Sequence, residues 1–195
     1  NSMEMDLSHK VYETLSDTLE YIYGSAEVIG LFMAKILGLT DRSYDHAQYL
    51  GRSMQYINFI RDINEDNSLN RLYFPKAELD RFNLDNLSYE YVLNHKQSFI
   101  DFINHQLDRY CGWQEWAEIG YSYIPKRYLI PIKTASEMYK WTARKIHENP
   151  FIIYEFKVKP MISQIMVNTF CNMVDNISIK DQEMECKGHH RFLQS

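Results

Sequence analysis

The 195-residue sequence is poor in the residues that mark several protein classes. It has 7 glycines and 5 prolines, fewer than expected for an all-β protein with many tight turns. Its 21 lysines and arginines are outnumbered by 26 aspartates and glutamates, and the resulting net charge of −5 predicts no nucleic-acid partner. No uninterrupted apolar run approaches the roughly 20 residues that span a bilayer. These shortages argue against a turn-rich β protein, a basic nucleic-acid-binding protein and a membrane-spanning helix.

Cysteine is also scarce. Cys111, Cys171 and Cys186 are an odd number at irregular spacing, which matches neither a disulfide framework nor a metal-ligand motif. Such usage is typical of a reducing compartment, so we expect a cytoplasmic protein.

Apolar residues (45%) and aromatic residues (14%) are abundant enough to form a sizeable core. They recur at steps of three and four, which predicts helices throughout and an all-α fold. The predicted helices span residues 14–38, 44–65, 72–82, 88–124, 128–148 and 160–178. The polar stretch 180–195 is predicted to be a flexible tail.

The first predicted helix contains three consecutive small residues, Gly24, Ser25 and Ala26. Small side chains lower helix propensity and let another group approach the backbone closely. The pattern is equally compatible with a neighbouring helix and with a ligand.

The stretch "NFIRDINED" (58–66) carries carboxylates within an apolar helix. Polar residues recur here at steps of three and four and therefore share one helix face. They are Gln55, Asn58, Asp62 and Asp66, or Glu65 in place of the last. Apolar residues flank this narrow stripe on both sides. We refer to Gln55, Asn58, Asp62 and Asp66 as the acidic stripe.

Two interpretations of the acidic stripe remain open on spacing alone. Partly buried carboxylates are costly unless they are paired or bind a metal, and hard oxygen ligands suit Mg²⁺ together with the oxygens of a diphosphate. The alternative is an ordinary helix end that turns polar, with Arg61 and Glu65 forming an i,i+4 ion pair.

Two segments carry a family resemblance. "YIYGSAEVIGLFM" (21–33) and "LGRSMQYINFIRDINEDNSLNRLYFP" (50–75) closely resemble the second half of the squalene/phytoene synthases, which are head-to-head prenyl diphosphate synthases. The matched positions are Leu50, Gly51, Gln55, Asn58, Arg61, Asp62, Glu65, Asp66, Arg71, Tyr73 and Pro75. The resemblance implies an all-α isoprenoid synthase-type bundle, with residues 1–195 forming the C-terminal portion of a single domain whose N-terminal helices are missing.

The resemblance also implies the chemistry. Members of this family condense two prenyl diphosphates, farnesyl or geranylgeranyl diphosphate, through a cyclopropylcarbinyl diphosphate intermediate, with Mg²⁺, or Mn²⁺ in its place, assisting loss of diphosphate. Such reactions belong to isoprenoid and carotenoid biosynthesis. The sequence does not decide between a C30 and a C40 product, nor whether NADPH is used.

Residue roles follow from the same resemblance. It assigns Asn58, Asp62 and Asp66 to the metal, as the second of two Asp-rich motifs, with Gln55 beside them. It makes Arg61 and Arg71 candidates for contacting phosphate or for holding the carboxylates.

Three tyrosines complete the predicted site. Tyr21 matches a tyrosine of the substrate cavity, Tyr139 one near the diphosphates, and Tyr73 part of the substrate-binding motif. For Tyr21 and Tyr139 taken alone, packing in the core is the simpler explanation.

The first Asp-rich motif of the family has no counterpart in this sequence. We therefore consider a second hypothesis, in which the chain is a noncatalytic helical partner or one half of a split enzyme with a separate N-terminal half. Greasy substrates further predict peripheral association with membranes. The apolar run 30–39 is compatible with lipid contact and also with core packing.

Overall fold

The computed structural model describes residues 11–175, apart from the side chains of Gln164 and Asp175. Within this range every regular element is helical, which confirms the predicted all-α fold. The predicted tail 180–195 lies outside it. The α-helices are α1 (Leu15–Ile22), α2 (Val28–Ile36), α3 (Tyr44–Arg61), α4 (Ile63–Ser68), α5 (Lys76–Arg81), α6 (Tyr89–Asn94), α7 (Lys96–Ile119), α8 (Lys126–Glu148), α9 (Ile152–Glu155) and α10 (Ile162–Asp175).

Three shorter helical segments link these elements. A π-helical segment (Tyr23–Glu27) joins α1 to α2, and 3₁₀ turns (Asp41–Ser43 and Gly120–Tyr123) precede α3 and follow α7. The predicted helix 14–38 is therefore one helical rod whose middle turn is widened. No helix within residues 11–175 is long and apolar enough to cross a membrane.

Hydrogen bonds between Thr14 and Asp17 fix the start of α1. The backbone N–H of Thr14 donates to Asp17 Oδ2 at 2.8 Å, and the Thr14 hydroxyl donates to the same oxygen at 3.0 Å. An acidic residue in the first turn also complements the positive end of the helix. Helix α1 begins here because Thr14 and Asp17 provide hydrogen bonds at a helix end, where the helix itself leaves backbone N–H groups without partners.

The crossing of the first helical rod over α3 depends on two glycines. A Cβ atom on Gly30 would lie 2.1 Å from the carbonyl oxygen of Ala47, and one on Gly51 would lie 2.4 Å from that of Ala26. Both obstacles are backbone atoms, so only glycine permits this separation. The sequence left open whether the small residues around Ala26 accommodate a neighbouring helix or a ligand. At Ala26 the close neighbour is the helix α3.

Helix α3 lies at the centre of the described bundle. It packs most extensively against α7 and also against α2, the π-helical segment and α8. Its inner face contributes Tyr56, Ile57 and Ile60, all fully buried. Gln55 and Asn58 of the acidic stripe occupy another face of this helix, so the packing of α3 positions the beginning of the stripe.

A partly buried chain of polar side chains ties α8 to α7 and α3. Lys140 lies between Glu118 (3.1 Å) and Glu137 (2.7 Å). Glu118 accepts a hydrogen bond from Gln114, which in turn accepts one from the Ser53 hydroxyl at 2.8 Å. This network sets the face that α8 presents to α3, and with it the position of Tyr139.

Candidate active site

The acidic stripe is continuous across a break in the helix. Helix α3 ends at Arg61, and Asp62 leaves helical geometry with φ −97° and ψ 11° before α4 begins. The i,i+4 ladder nevertheless persists, because Asp62 N–H donates to the Asn58 carbonyl and Asp66 N–H donates to the Asp62 carbonyl, both at 2.8 Å. Asn58, Asp62 and Asp66 therefore stay on one face, as the spacing predicts.

Asn58 carries an unsatisfied polar atom. Its side-chain oxygen Oδ1 is buried and has no hydrogen-bond partner among the described residues. An unpaired buried oxygen of this kind costs about 1–3 kcal/mol unless another group binds it. Its place one turn before Asp62 makes it a suitable ligand for a hard cation.

Asp62 is held by its sequence neighbour. Arg61 Nε donates to Asp62 Oδ1 at 2.9 Å, and Arg61 Nη2 donates to Oδ2 at 2.6 Å. Burial lowers the pKa of the Arg61 guanidinium, but these bonds outweigh that effect and raise the pKa overall. Arg61 therefore pairs with Asp62 in this structure and not with Glu65, the partner in the simpler interpretation of the sequence.

Lys157 approaches the same carboxylate from the far end of the sequence. Its Nζ lies 3.5 Å from Asp62 Oδ1 and 2.5 Å from Glu65 Oε2. The hydrogen bond to Glu65 is the main reason why the pKa of Lys157 is raised. Lys157 was not predicted as a site residue, because nothing in the local sequence around residue 157 indicates a partner 92 positions away.

Asp66 lies in a more negative environment than Asp62. Burial, and next the negative charge of Asp62, raise the pKa of the Asp66 carboxyl to about 6, although Arg71 opposes the shift. The Arg71 backbone N–H also donates to the Asp66 carbonyl at 2.9 Å, which keeps the arginine beside the stripe. A carboxylate that is hard to ionise next to another carboxylate marks a place where an added cation is stabilised.

Asp62 and Glu65, but neither Asn58 nor Asp66, line a cleft of about 290 Å³ between α3, α4 and the segment around α9. Its lining includes Arg61, Asp62, Glu65, Tyr154 and Lys157. The side chain of Asp62 keeps 18% of its surface exposed, whereas that of Glu65 keeps 58%. Asp62 is thus recessed in the cleft, and Glu65 stands at its rim.

Gln55 begins the acidic stripe on α3, and Tyr139 on α8 lies beside it. Gln55 is half-buried on α3, one turn before Asn58. Tyr139 on α8 is also half-buried and lies close enough to Arg61 to act on the pKa of its guanidinium. The structure therefore brings Tyr139 to the edge of the predicted site.

Tyr21 and Tyr73 lie in an aromatic cluster of the core. The ring of Tyr73 stacks on Phe59 with centroids 4.3 Å apart, and the ring of Tyr21 lies 5.0 Å from that of Tyr73. Tyr12 borders both rings. The predicted substrate roles of Tyr21 and Tyr73 stay predictions, since both side chains are more than 90% buried here.

The described carboxylates do not form a complete metal cage. No group of three His, Cys, Asp or Glu side chains within residues 11–175 is arranged to hold a metal ion. The residues present still fit part of a Mg²⁺ site, because an unpaired amide oxygen and two recessed carboxylates lie on one face. Such a cation takes only one or two protein carboxylates when diphosphate and water supply the rest.

Comparison with protein families identifies the family of the chain. The family model for squalene/phytoene synthase matches residues 1–164. The chain belongs to the squalene/phytoene synthase family. The match includes all nine predicted site residues, from Tyr21 to Tyr139.

Among its relatives in this family, the chain is 31% identical over 145 residues to a 15-cis-phytoene synthase from Pantoea ananas, covering 74% of this chain and 47% of that protein. It is 35% identical over 86 residues to a 4,4'-diapophytoene synthase from Staphylococcus haemolyticus, covering 43% of this chain and 30% of that protein. The chain thus spans less than half the length of these relatives.

Solved structures support the same fold. A dehydrosqualene synthase crystallised with a ligand superposes with a TM-score of 0.73 at 19% identity, covering 87% of this chain and 60% of that one. A squalene synthase from Alicyclobacillus acidocaldarius superposes with a TM-score of 0.68 at 21% identity, covering 77% and 57%. The described helices therefore form part of a squalene/phytoene synthase bundle.

Proposed function

We propose that the chain supplies the second carboxylate face of a head-to-head prenyl diphosphate synthase. The observation that carries this proposal is the grouping of Asn58, Asp62 and Asp66 on one recessed face with Lys157 beside them. Membership of the squalene/phytoene synthase family supports the same reaction class.

The cations around the stripe suit a diphosphate. Lys157 contacts the carboxylates of Asp62 and Glu65 in the cleft, and Arg71 lies beside Asp66. An incoming diphosphate would take over some of these contacts, since phosphate oxygens accept charge-assisted hydrogen bonds at least as well as carboxylates. Lys157 and Arg71 would then stabilise the negative charge that grows as diphosphate departs.

The reaction joins two prenyl chains without a protein-bound intermediate. One prenyl diphosphate loses its diphosphate, and the resulting allylic cation is attacked by the double bond of the second substrate. The tertiary cation so formed loses a proton, which the departed diphosphate can accept, as the ring closes to a cyclopropylcarbinyl diphosphate. Asn58, Asp62 and Asp66 would hold Mg²⁺, or Mn²⁺, which when bound neutralises charge on the leaving diphosphate. Tyr139, at the edge of the site beside Arg61, would help to keep that guanidinium directed at Asp62.

The remaining ligands would come from polypeptide outside this sequence. Three observations favour this: the described residues hold no three-carboxylate cluster, the chain covers 47% of a phytoene synthase relative, and α2 leaves an apolar face uncovered. That face consists of Ile29, Phe32, Met33 and Ile36, each at least 47% exposed. We propose that an N-terminal half, joined to this chain or separate from it, packs there and brings the first Asp-rich motif opposite Asp62.

Product analysis tests the proposal. The complete polypeptide, or this chain mixed with the separate half, is incubated with Mg²⁺ and either farnesyl or geranylgeranyl diphosphate. We expect a C30 or C40 hydrocarbon in which two identical chains are joined head to head. The absence of any coupled product from both substrates would reject the enzymatic role and leave the noncatalytic partner as the better account.

A further inference from the structure

Glu78, in the first turn of α5, is held by side chains that the proposed site does not include. Its Oε1 accepts a hydrogen bond from Arg109 Nη2 at 2.6 Å, and its Oε2 accepts bonds from Arg109 Nη1 and Gln106 Nε2, both at 2.9 Å. Glu78 and Arg109 are recessed, with 14% and 15% of their side-chain surfaces exposed. Burial alone would raise the pKa of Glu78, but the bonds from Arg109 and Gln106 outweigh it and lower the pKa. The carboxylate is therefore ionised and paired at neutral pH.

The same network reaches α3, the helix that carries the beginning of the acidic stripe. Arg109 Nη1 on α7 also donates to the hydroxyl of Tyr56 at 2.7 Å, and that hydroxyl donates to Gln106 Oε1. Tyr56 and Gln106 are fully buried. A buried network whose members satisfy one another favours a single arrangement of the elements that it joins. The network of Glu78, Arg109, Gln106 and Tyr56 therefore fixes α5 against α3 and α7.

Residues 71–75 connect this network to the acidic stripe. At one end, the Arg71 backbone N–H donates to the Asp66 carbonyl at 2.9 Å. At the other end, the Pro75 carbonyl accepts a hydrogen bond from the Glu78 backbone N–H at 3.0 Å. Both ends of this short segment are thus fixed, one at the stripe and the other at the Glu78 network.

The pair of Glu78 and Arg109 contributes geometry more than stability. Replacing a buried ion pair by well-packed apolar side chains is often neutral or stabilising, whereas a two-pronged contact between arginine and carboxylate fixes both groups in one orientation. Arg71 depends on such an orientation, because its charge acts on the carboxyl of Asp66 and must stay near it.

We propose that Glu78 is a positioning residue for Arg71. By pairing with Arg109, it holds residues 71–75 so that the Arg71 guanidinium stays beside Asp66, where a departing diphosphate would meet it. This inference rests on the proposed function and adds to it a residue that touches neither metal nor substrate.

A double-mutant cycle between Glu78 and Arg71 tests this role. Binding of inorganic pyrophosphate in the presence of Mg²⁺ is measured by isothermal titration calorimetry on the complete polypeptide, so the test needs no turnover. Glu78→Gln should weaken pyrophosphate binding about five-fold, and it should have no further effect once Arg71→Met is present. Losses that add in the double variant would overturn the proposal, because Glu78 would then act independently of Arg71.

The matched control is Glu27→Gln, since Glu27 is buried and pairs with Arg52 at 2.7 Å. This variant should lower the Tm about as much as Glu78→Gln and leave pyrophosphate affinity unchanged. Equal losses of affinity in the two variants would overturn the proposal, because the loss would then follow from destabilisation. If Glu78→Gln does not fold, Arg109→Lys takes its place in the cycle, because lysine keeps the charge and loses the two-pronged contact.

The unmodified polypeptide separates this inference from the function on which it rests. If it binds no pyrophosphate in the presence of Mg²⁺, the proposed function is contradicted and the inference falls with it. If it binds pyrophosphate and Glu78→Gln binds equally well, only the positioning role of Glu78 is overturned.

Discussion

Lys157 bridges two acidic residues that lie 3.5 Å and 2.5 Å from its ammonium, Asp62 and Glu65 respectively. These contacts fasten the segment after α9 across the break between α3 and α4. They also place a cation at the rim of a cleft whose floor is acidic. The same lysine is thus positioned to receive an anion.

Replacing Lys157 with methionine should impair substrate binding more than folding. In the catalytically complete polypeptide, we expect the KM for prenyl diphosphate to rise about ten-fold, the usual effect of losing one charge-assisted contact. The free energy of unfolding should change by no more than about 0.5 kcal/mol, because Lys157 and its nearer partner Glu65 are both exposed. Lys159→Met is the matched control and should leave KM unchanged. Equal effects of the two substitutions would show that Lys157 acts only through overall charge.

The unpaired oxygen of Asn58 predicts a conflict between stability and function. Asn58→Leu should raise the free energy of unfolding of the metal-free protein by about 1 kcal/mol, since a buried unsatisfied group is removed. The same change should abolish Mg²⁺-dependent activity. Chemical denaturation and product analysis measure the two effects.

Asn104 on α7 provides the control, because its Oδ1 is also buried without a hydrogen-bond partner among the described residues. Asn104→Leu should stabilise the protein to a similar extent and leave activity intact. Full activity of Asn58→Leu would remove Asn58 from the site.

The pKa of Asp66, raised to about 6, gives stability a defined pH dependence. Its ordinary value is near 3.9. Because the folded state favours the protonated carboxyl, its stabilising effect is complete below about pH 4 and is lost as the pH rises through 6. Asp66→Asn removes this loss of stability at higher pH. In the absence of divalent cations, the Tm of this variant should exceed that of the unmodified protein above pH 6, and the gap should shrink toward pH 4.

Asp80→Asn on the exposed face of α5 is the comparison for that titration. The Tm of Asp80→Asn should change with pH in parallel with the Tm of the unmodified protein from about pH 4 to pH 8. A constant offset between Asp66→Asn and the unmodified protein across the whole range would contradict the assigned environment of Asp66.

Two helical glycines, Gly30 at the helix crossing and Gly112 on α7, should respond oppositely to substitution by alanine. Gly30→Ala should destabilise the fold by about 1–3 kcal/mol, because its methyl group would collide with the Ala47 carbonyl. Gly112→Ala, in the middle of α7, meets nothing within 4 Å and should stabilise by about 0.5–1 kcal/mol. Urea denaturation distinguishes them. Stabilisation by Gly30→Ala would show that the helices are farther apart than described.

Periodicity predicted most of the helices because their apolar positions face one continuous core. The predicted helix 128–148 corresponds to α8 (Lys126–Glu148), and 160–178 corresponds to α10 (Ile162–Asp175) in the described range. Two details were missed. The predicted helix 88–124 is interrupted at His95, which has φ −127° and ψ 42°, and the short helix α9 has too few residues for a visible period.

Within the site, sequence spacing predicted which residues share a helix face. It did not predict contacts between residues that are far apart in the sequence. The shared face of Asn58, Asp62 and Asp66 follows from their spacing alone. The contact of Lys157 with Asp62 depends on how α9 packs beside α4, which no local pattern records. For Tyr21 and Tyr73, the sequence pattern does not distinguish an aromatic side chain that lines a cavity from one that packs in the core, as Tyr73 does on Phe59.

Binding of Mn²⁺, measured by electron paramagnetic resonance in the presence of inorganic pyrophosphate, tests the role of the acidic stripe most directly. The complete polypeptide, Asp62→Asn and the control Asp80→Asn are titrated side by side. We predict pyrophosphate-dependent Mn²⁺ binding that Asp80→Asn retains and Asp62→Asn weakens by about ten-fold or more. Equal Mn²⁺ affinity in all three proteins would contradict the account, because the carboxylate of Asp62 would then have no part in holding the cation.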